Sequence, residues 1–317
     1  MGTASTCAIH VRDSLASRVH AQLDWDGAHW RISNRGKNGL HLDDVYSDKA
    51  FLYPGVRIRV GQLTLVAESA RTIALREALA RMMGWGRELM DAHDAALQRL
   101  RDAAAGKTAF VICGDGDLLG FAQELHELAM GGERPIVYCK PGGGKSQPPS
   151  GFEPDPEESP SIQRVASGRE AISLAEGGTI CIDNRRLPMD RASIFERTSS
   201  TPTLVIVLAR YTRKTDVFTP TPMVIPPLSA RQDELDRLMV ECEAMASLRV
   251  GRGLLALTAA QRKWVRDHCE TLAEFQLSVL RLMALRHAGS ISAAAELLRL
   301  TASGLRQWYA ARGLATD

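Results

Sequence analysis

Thr108-Ala109-Phe110-Val111-Ile112-Cys113 is a continuous apolar run that meets Gly114-Asp115-Gly116-Asp117 and then passes into a helix-period segment from Leu118 to Met130. A short apolar run bounded by turn residues reads as a buried strand, and the segment after it as a helix. The alternation continues downstream. Pro135 to Cys139 reads as a strand, Gly168 to Ala175 as a helix, and Thr179 to Ile182 and Thr203 to Ala209 as further strands. This succession predicts a parallel sheet flanked by helices. It is interrupted by Pro141 to Ser161, which carries six prolines and three consecutive glycines and is expected to be a long mobile loop.

On the N-terminal side the texture changes. Trp30-Arg31-Ile32, Leu40-His41-Leu42, Val56-Arg57-Ile58-Arg59-Val60 and Leu63-Thr64-Leu65-Val66 are short runs separated by Asp26-Gly27, Asn38-Gly39 and Pro54-Gly55. Turn dipeptides between such runs predict an all-β unit over 1–70. Its eight basic and seven acidic residues leave it nearly neutral. From 71 to 106 the period is helical, with Gly84 and Gly86 around Trp85 separating two amphipathic segments; this stretch is expected to be a helical linker. Past Pro227 everything is helical. Leu235, Leu238, Met239, Cys242 and Met245 form one apolar stripe, and Thr271 with Glu274 makes a capping box.

A formal charge of +2 on 317 residues excludes wholesale nucleic-acid coating, so any DNA contact must come from a local patch. The six cysteines show no Cys-x-x-Cys spacing, and several lie in apolar runs, which argues against a zinc site and for a reducing compartment. No signal-peptide pattern and no long apolar stretch is present. A cytoplasmic protein with no membrane contact, metal or cofactor is expected.

Ser17-Arg18-Val19-His20-Ala21, then Lys37-Asn38-Gly39, then Leu52 to Gly61 resemble the forkhead-associated (FHA) family. The resemblance implies a β-sandwich that reads phosphothreonine peptides, with Ser17 and Arg18 on the phosphate, Asn38 on the peptide backbone and Lys37 nearby. Hydroxyl, amide and guanidinium donors together suit a phosphate's oxygens. His20 is read as a structural buttress. Two departures stand out. The family's Gly-Arg would fall at Gly2-Thr3, without the arginine, and the strands that usually precede it are absent, so either translation begins further upstream or the sandwich is incomplete at its start. A purely structural β-module is the alternative.

Phe110 to Leu119, Ala171 to Asp183 and Ile225-Pro226-Pro227-Leu228 to Leu235 resemble, in order and spacing, the Walker A, Walker B and lid-opening segments of sigma-54 activators. That implies a P-loop-like AAA+ domain over 107–228 and a helical lid over 229–270. The chemistry departs from the family. Nucleotide hydrolysis needs a P-loop lysine and a hydroxyl on magnesium, but the Gly-Lys-Ser/Thr positions read Asp117-Leu118-Leu119. Around the degenerate site, Gly114, Gly116 and Asp183 remain, while Asn184 replaces the water-orienting Glu. Asp115 and Asp117 would repel phosphate. Gly142-Gly143-Gly144-Lys145-Ser146 mimics a P-loop ending without its leading glycine, and no sigma-54-engaging loop motif is present.

Ala284 to Leu305 resembles the Fis-type helix-turn-helix, placed within 271–317. Ser292 is expected to cap the first helix and Thr301 the second, Ala302 to Ala310. Leu297, Leu298, Leu300 and Leu305 are expected to form its core. Arg281 to Asp317 holds five arginines against two acids. Arg299, Thr301, Ser303, Arg306, Gln307 and Arg312 are the candidate DNA contacts, with Trp308 also able to face DNA. Arg299 stands where glycine usually makes the turn.

The fold class expected is a multidomain α+β chain: an FHA-like β-sandwich, a degenerate AAA+ α/β domain and a C-terminal helical bundle with helix-turn-helix. The function it implies is a homodimeric regulator that binds double-stranded DNA, takes input from a threonine-phosphorylated protein and does not hydrolyse ATP. The alternative is a phosphopeptide-binding scaffold whose C-terminal helices only dimerise.

Overall fold

The computed structural model describes residues 1–141, 162–196, 202–210, 221–251 and 256–314. The chain divides into two compact units, Met1–Ala74 and Leu75–Asp317.

The first unit is two small antiparallel sheets. One has the order β1–β2–β5, from β1 (Ala21–Trp25), β2 (Trp30–Asn34) and β5 (Lys49–Phe51). The other has the order β4–β3–β6–β7, from β3 (His41–Leu42), β4 (Val45–Tyr46), β6 (Arg57–Val60) and β7 (Leu63–Val66). Alternation along the strands turns Ile32, Ile58 and Val60 inward, where they join Val11, Ala16, Ala21 and Leu40. The sequence had pointed to β2, β3, β6 and β7. The strands β1, β4 and β5 lacked a recognisable run because they are short or carry polar residues, as in Ala-Gln-Leu-Asp-Trp.

Helix α1 (Ala70–Met83) crosses the division between the units, and α2 (Met90–Ala104) follows after a short 3-10 turn. Next come β8 (Ala109–Cys113), α3 (Leu119–Ala129), β9 (Ile136–Cys139), β10 (Ile162–Val165), α4 (Gly168–Leu174), β11 (Thr179–Asp183), α5 (Arg191–Phe195), β12 (Leu204–Ala209) and β13 (Met223–Val224). All pairings in this sheet are parallel, in the order β10–β9–β11–β12–β8–β13. The two-residue side-chain period splits it cleanly. Phe110, Ile112, Ile136, Tyr138, Cys181 and Ile206 face the larger helical core, whereas Val111, Val137, Cys139, Ile180, Val205 and Val207 face α4 and α5. The flanked parallel sheet expected from the alternation is therefore present, while β10, β13 and α5 went unanticipated.

Among the described residues five helices follow: α6 (Leu235–Val250), α7 (Ala259–His268), α8 (Leu272–Ala288), α9 (Ile291–Leu298) and α10 (Ala302–Ala310). The capping box of α8 forms as read, Thr271 Oγ1 accepting from Glu274 N. A second one starts α7 at Thr258 and Gln261. Helix α8 ends at Gly289 with φ +70°, a left-handed position that glycine takes without steric cost.

The stretch 71–106 is no free linker. Leu79, Met82, Ala96, Leu97 and Leu100 are buried in the same core as the sheet and α6. Polar ties reinforce this: Trp85 N donates to Glu234 Oε1 (2.6 Å), and buried Arg231 donates to Arg81 O (2.9 Å) while pairing with Glu234 (2.7 Å). Amphipathic periodicity shows that a helix has a buried face, but not that α2 packs on β8, β12 and α3, nor that α1 is tied to residues some 150 positions away. Most of the loop 141–161, including the Gly142 to Ser146 stretch, falls outside the described residues. Among the described residues no helix is long and apolar enough to cross a membrane, and the six cysteines are free.

Candidate functional site

In the first unit, two loops meet. One precedes β1 and carries Ser17 and Arg18; the other joins β2 to β3 and carries Lys37 and Asn38. Lys37 N donates to Ser17 Oγ (3.2 Å) and Asn38 Nδ2 donates to Leu15 O (2.8 Å). Fully buried His20 ties the same loops from beneath. Ser17 N donates to its Nδ1 (3.0 Å), so in the neutral ring Nε2 carries the proton and donates to Gly39 O (2.7 Å). This is the buttress expected of His20. Arg18, Lys37 and Asn38 are exposed and Ser17 is half-buried. The Ser17 hydroxyl proton and the Arg18 and Lys37 cations remain available to an anion, and Asn38 Oδ1 to a peptide N–H. Thr3, at the position where an arginine was expected, bonds Ser17 O through its own amide (3.1 Å).

In the second unit, β8 runs into Gly114 to Leu118 and α3, the strand–loop–helix geometry in which helix-terminal amides can hold a phosphate. Here the chain supplies its own anion: Asp117 Oδ1 accepts from Leu119 N at 3.0 Å. Gly116 has φ +84°, and a Cβ there would lie 2.8 Å from Thr271 Oγ1, so the start of α8 covers the loop. Asp183 at the end of β11 is likewise occupied, accepting from Arg185 N (2.8 Å) and pairing with its guanidinium (3.0 Å). Burial pushes the Asp183 pKa up, but these Arg185 bonds outweigh it and hold it below the ordinary value. Asn184 N donates to Leu208 O (2.8 Å), a sheet bond.

The C-terminal hairpin differs from expectation in detail. Ser290, not Ser292, caps α9: Ser290 Oγ accepts from Ala293 N (3.3 Å), because the left-handed Gly289 ends α8 and places Ser290 in extended backbone. Thr301 caps α10 as read, accepting from Gly304 N (3.1 Å). Arg299 adopts φ +58° at the turn, where glycine would be unstrained. Leu305 is buried, but Leu297 is 44% exposed and does not belong to the core. Trp308 does not face outward: it is 8% exposed and lies between the guanidinium groups of Arg281 (4.8 Å) and Arg312 (4.6 Å). The Arg281 pKa falls to about 9, from burial first and then repulsion by Arg312, whose own pKa is lowered by burial.

A cavity of about 960 Å³ lies between the C-terminal edge of the parallel sheet and these helices. Of the six candidate DNA contacts, Thr301, Ser303, Gln307 and Arg312 line it, whereas Arg299 and Arg306 do not. Gly116, Asp117 and Asp183 are on the opposite wall. Sequence spacing put the six candidates on one helix-turn-helix, and the fold turns them toward two different spaces.

Residues 1–61 match the FHA domain. No curated protein matches the chain. Among solved structures, an FHA domain studied for phosphothreonine-dependent interactions is 22% identical and covers 22% of this chain and 72% of its own (TM-score 0.21). The second FHA domain of an ABC transporter from Mycobacterium tuberculosis is 30% identical over 22% of this chain and 64% of its own (TM-score 0.21). NtrX from Brucella abortus, in complex with ADP, is 14% identical over 76% of this chain and 72% of its own (TM-score 0.39).

All four candidate phosphopeptide residues lie inside the FHA match, and the fold brings them to one surface of that domain. What sequence reasoning missed is the part played by Gly36 in the FHA loop pair. A Cβ there would lie 2.8 Å from the His20 ring. The signal was a glycine two residues before Asn38, legible only once His20 is placed beneath it. In the second unit, the adjacent pair Arg185-Arg186 directly after Asp183 went unread, and Arg185 pairs with that carboxylate.

Proposed function

We propose that the chain is a regulator that reads a threonine-phosphorylated protein through its FHA domain and contacts double-stranded DNA through the outer face of α10, acting as a cytoplasmic homodimer. The observation that carries it is the tying of the two loops by Lys37 N to Ser17 Oγ and by Asn38 Nδ2 to Leu15 O, on the surface that also bears Arg18. It presents one hydroxyl and two cations to a single phosphate. The DNA reading rests on the capped α9–turn–α10 hairpin and on Ser303, Arg306 and Gln307, which are exposed. In this reading the second unit is an inert module, its former anion site filled by Asp117 and its Asp183 neutralised by Arg185.

The test is a titration of the full chain with phosphothreonine, phosphoserine and unmodified peptide libraries, followed by unbiased selection of genomic fragments. Phosphothreonine preference that is lost in Arg18→Ala is expected. DNA affinity should fall with salt, and Arg306→Ala should reduce the log–log slope by about 0.9 if it neutralises one phosphate. Equal binding with and without the phosphate would make the domain structural. One observation favours the second reading, a phosphopeptide-binding scaffold: four of the six candidate DNA contacts, Ser303 and Gln307 among them, border the cleft facing the sheet edge, which leaves Arg299 and Arg306 outside it. Phosphothreonine binding with no DNA selected would establish it.

A further inference from the structure

The cavity at the sheet edge is lined by Lys140, Arg164, Arg185, Arg186 and Arg210, contributed by the ends of four neighbouring parallel strands, β9, β10, β11 and β12. Open α/β sheets bind ligands outside the carboxyl ends of their strands. The facing helices add Arg249, Arg281 and Arg312. Four carboxylates also line the space, and each is already committed. Asp183 is paired with Arg185, Glu124 with Arg81, Glu274 closes the capping box of α8, and Asp117 holds Leu119 N. Among the described residues, no carboxylate pairs with Lys140, Arg164, Arg186 or Arg210. With eight cations against four carboxylates on the lining, the surplus of positive charge is real at short range. It is concentrated in a space with low-dielectric walls, which focuses the field on whatever enters.

The size decides which anion fits. At about 960 Å³ the cavity is at the upper end of small-ligand pockets, roughly 300–1,000 Å³. The Gly116–Leu119 stretch lines the same cavity, but Asp117 there disfavours phosphate, which leaves the strand-end cations to hold it. We infer that this cleft binds a small ligand carrying several phosphate groups, held by Lys140, Arg164, Arg186 and Arg210 without magnesium. Arg281 and Arg312 both lie within 5 Å of the Trp308 ring on the far wall, two like charges whose mutual repulsion such an anion relieves. The site depends on neither the phosphopeptide reading nor the DNA reading.

The experiment is calorimetric and thermal-shift titration of the full chain with inorganic tripolyphosphate in EDTA, with orthophosphate alongside. Saturable binding with a rise in Tm is expected, since a ligand of the native state raises it. Orthophosphate should bind at least tenfold more weakly, because one phosphate cannot span four strand ends. Arg186→Ala combined with Arg210→Ala, both exposed positions, should weaken tripolyphosphate at least tenfold. Arg18→Ala and Arg306→Ala should leave it unchanged. No saturable binding at millimolar concentration would overturn the inference. So would full affinity in the double variant, loss of binding in Arg18→Ala, which would move the anion to the FHA domain, or binding that appears only with magnesium and needs Asp183.

Discussion

Replacing Gly36 with alanine tests whether His20 is the tie that assembles the phosphopeptide surface. The new Cβ would lie 2.8, 2.9 and 3.0 Å from Nδ1, Cγ and Cε1 of the His20 ring. Non-bonded carbon contacts settle near 3.5–4.0 Å, so the ring must retreat by about 1 Å. Its bonds to Ser17 N (3.0 Å) and Gly39 O (2.7 Å) would then stretch beyond hydrogen-bonding reach. The ring is fully buried, out of reach of bulk solvent that could replace them. Overpacking of this kind costs about 1–3 kcal/mol, and a buried polar group left unsatisfied costs a similar amount. A loss of roughly 2–4 kcal/mol is expected in the first unit. Three measurements on the full chain follow: urea unfolding by a first-unit probe such as Trp25 or Trp30 fluorescence, hydrogen exchange at the Ser17 amide, and phosphopeptide affinity. The Gly36→Ala chain should unfold at lower urea, exchange Ser17 faster and bind more weakly. In a His20→Ala background the same substitution should cost little, because the clash is gone; the coupling should approach the whole single-variant effect. Additive losses in the double variant would refute the reasoning, as would a Gly36→Ala chain with unchanged Ser17 protection.

Three further outcomes are expected. Asp190 accepts from Gly168 N (2.8 Å) and Arg169 N (2.9 Å), bonds that hold its pKa below the ordinary value, with Gly168 the stronger influence. Its stabilisation is therefore present above the unfolded-state pKa and is lost as pH falls through the lower folded value. Asp190→Asn should flatten that part of the acid-side loss in urea midpoints between neutral pH and pH about 3, near the unfolded Asp value, and an unaltered pH profile would count against it. With ATP and magnesium the chain should release no phosphate above a protein-free control, and turnover abolished by Asp183→Ala would restore a motor reading. Asp117→Ala should destabilise the second unit by about 1 kcal/mol, the ordinary worth of a side-chain bond to a helix-terminal amide, seen as a lower Tm; no change would mean Leu119 N finds another acceptor.

Local pattern was enough wherever one residue's neighbours in sequence are also its neighbours in space. The apolar runs of β8, β9, β11 and β12, the capping box at Thr271 and the cap at Thr301 could be read directly, because strand burial and capping are short-range effects. So could the FHA motifs, whose spacing reflects two loops of one small domain. The cap at Ser290 was missed by two residues, since it depends on where Gly289 takes a left-handed turn and not on which serine is available.

Only the tertiary structure decided what each exposed-looking residue faces. Trp308 and Arg312 read as candidates for DNA, yet packing against Arg281 and Trp264 draws Trp308 inward. Helices 71–106 read as a linker because periodicity does not say what they pack on, which is β8, β12 and α3 for α2 and, through Arg81 and Trp85, the distant Arg231 and Glu234 for the end of α1. Lys140, Arg164, Arg186 and Arg210 are scattered over some 70 residues, and no window brings them together. A parallel sheet does so because every strand points the same way, so the residues that follow each strand collect at one edge. Sequence determined the elements; the direction of the strands and the docking of α8 to α10 determined that a cationic cleft forms at the sheet edge.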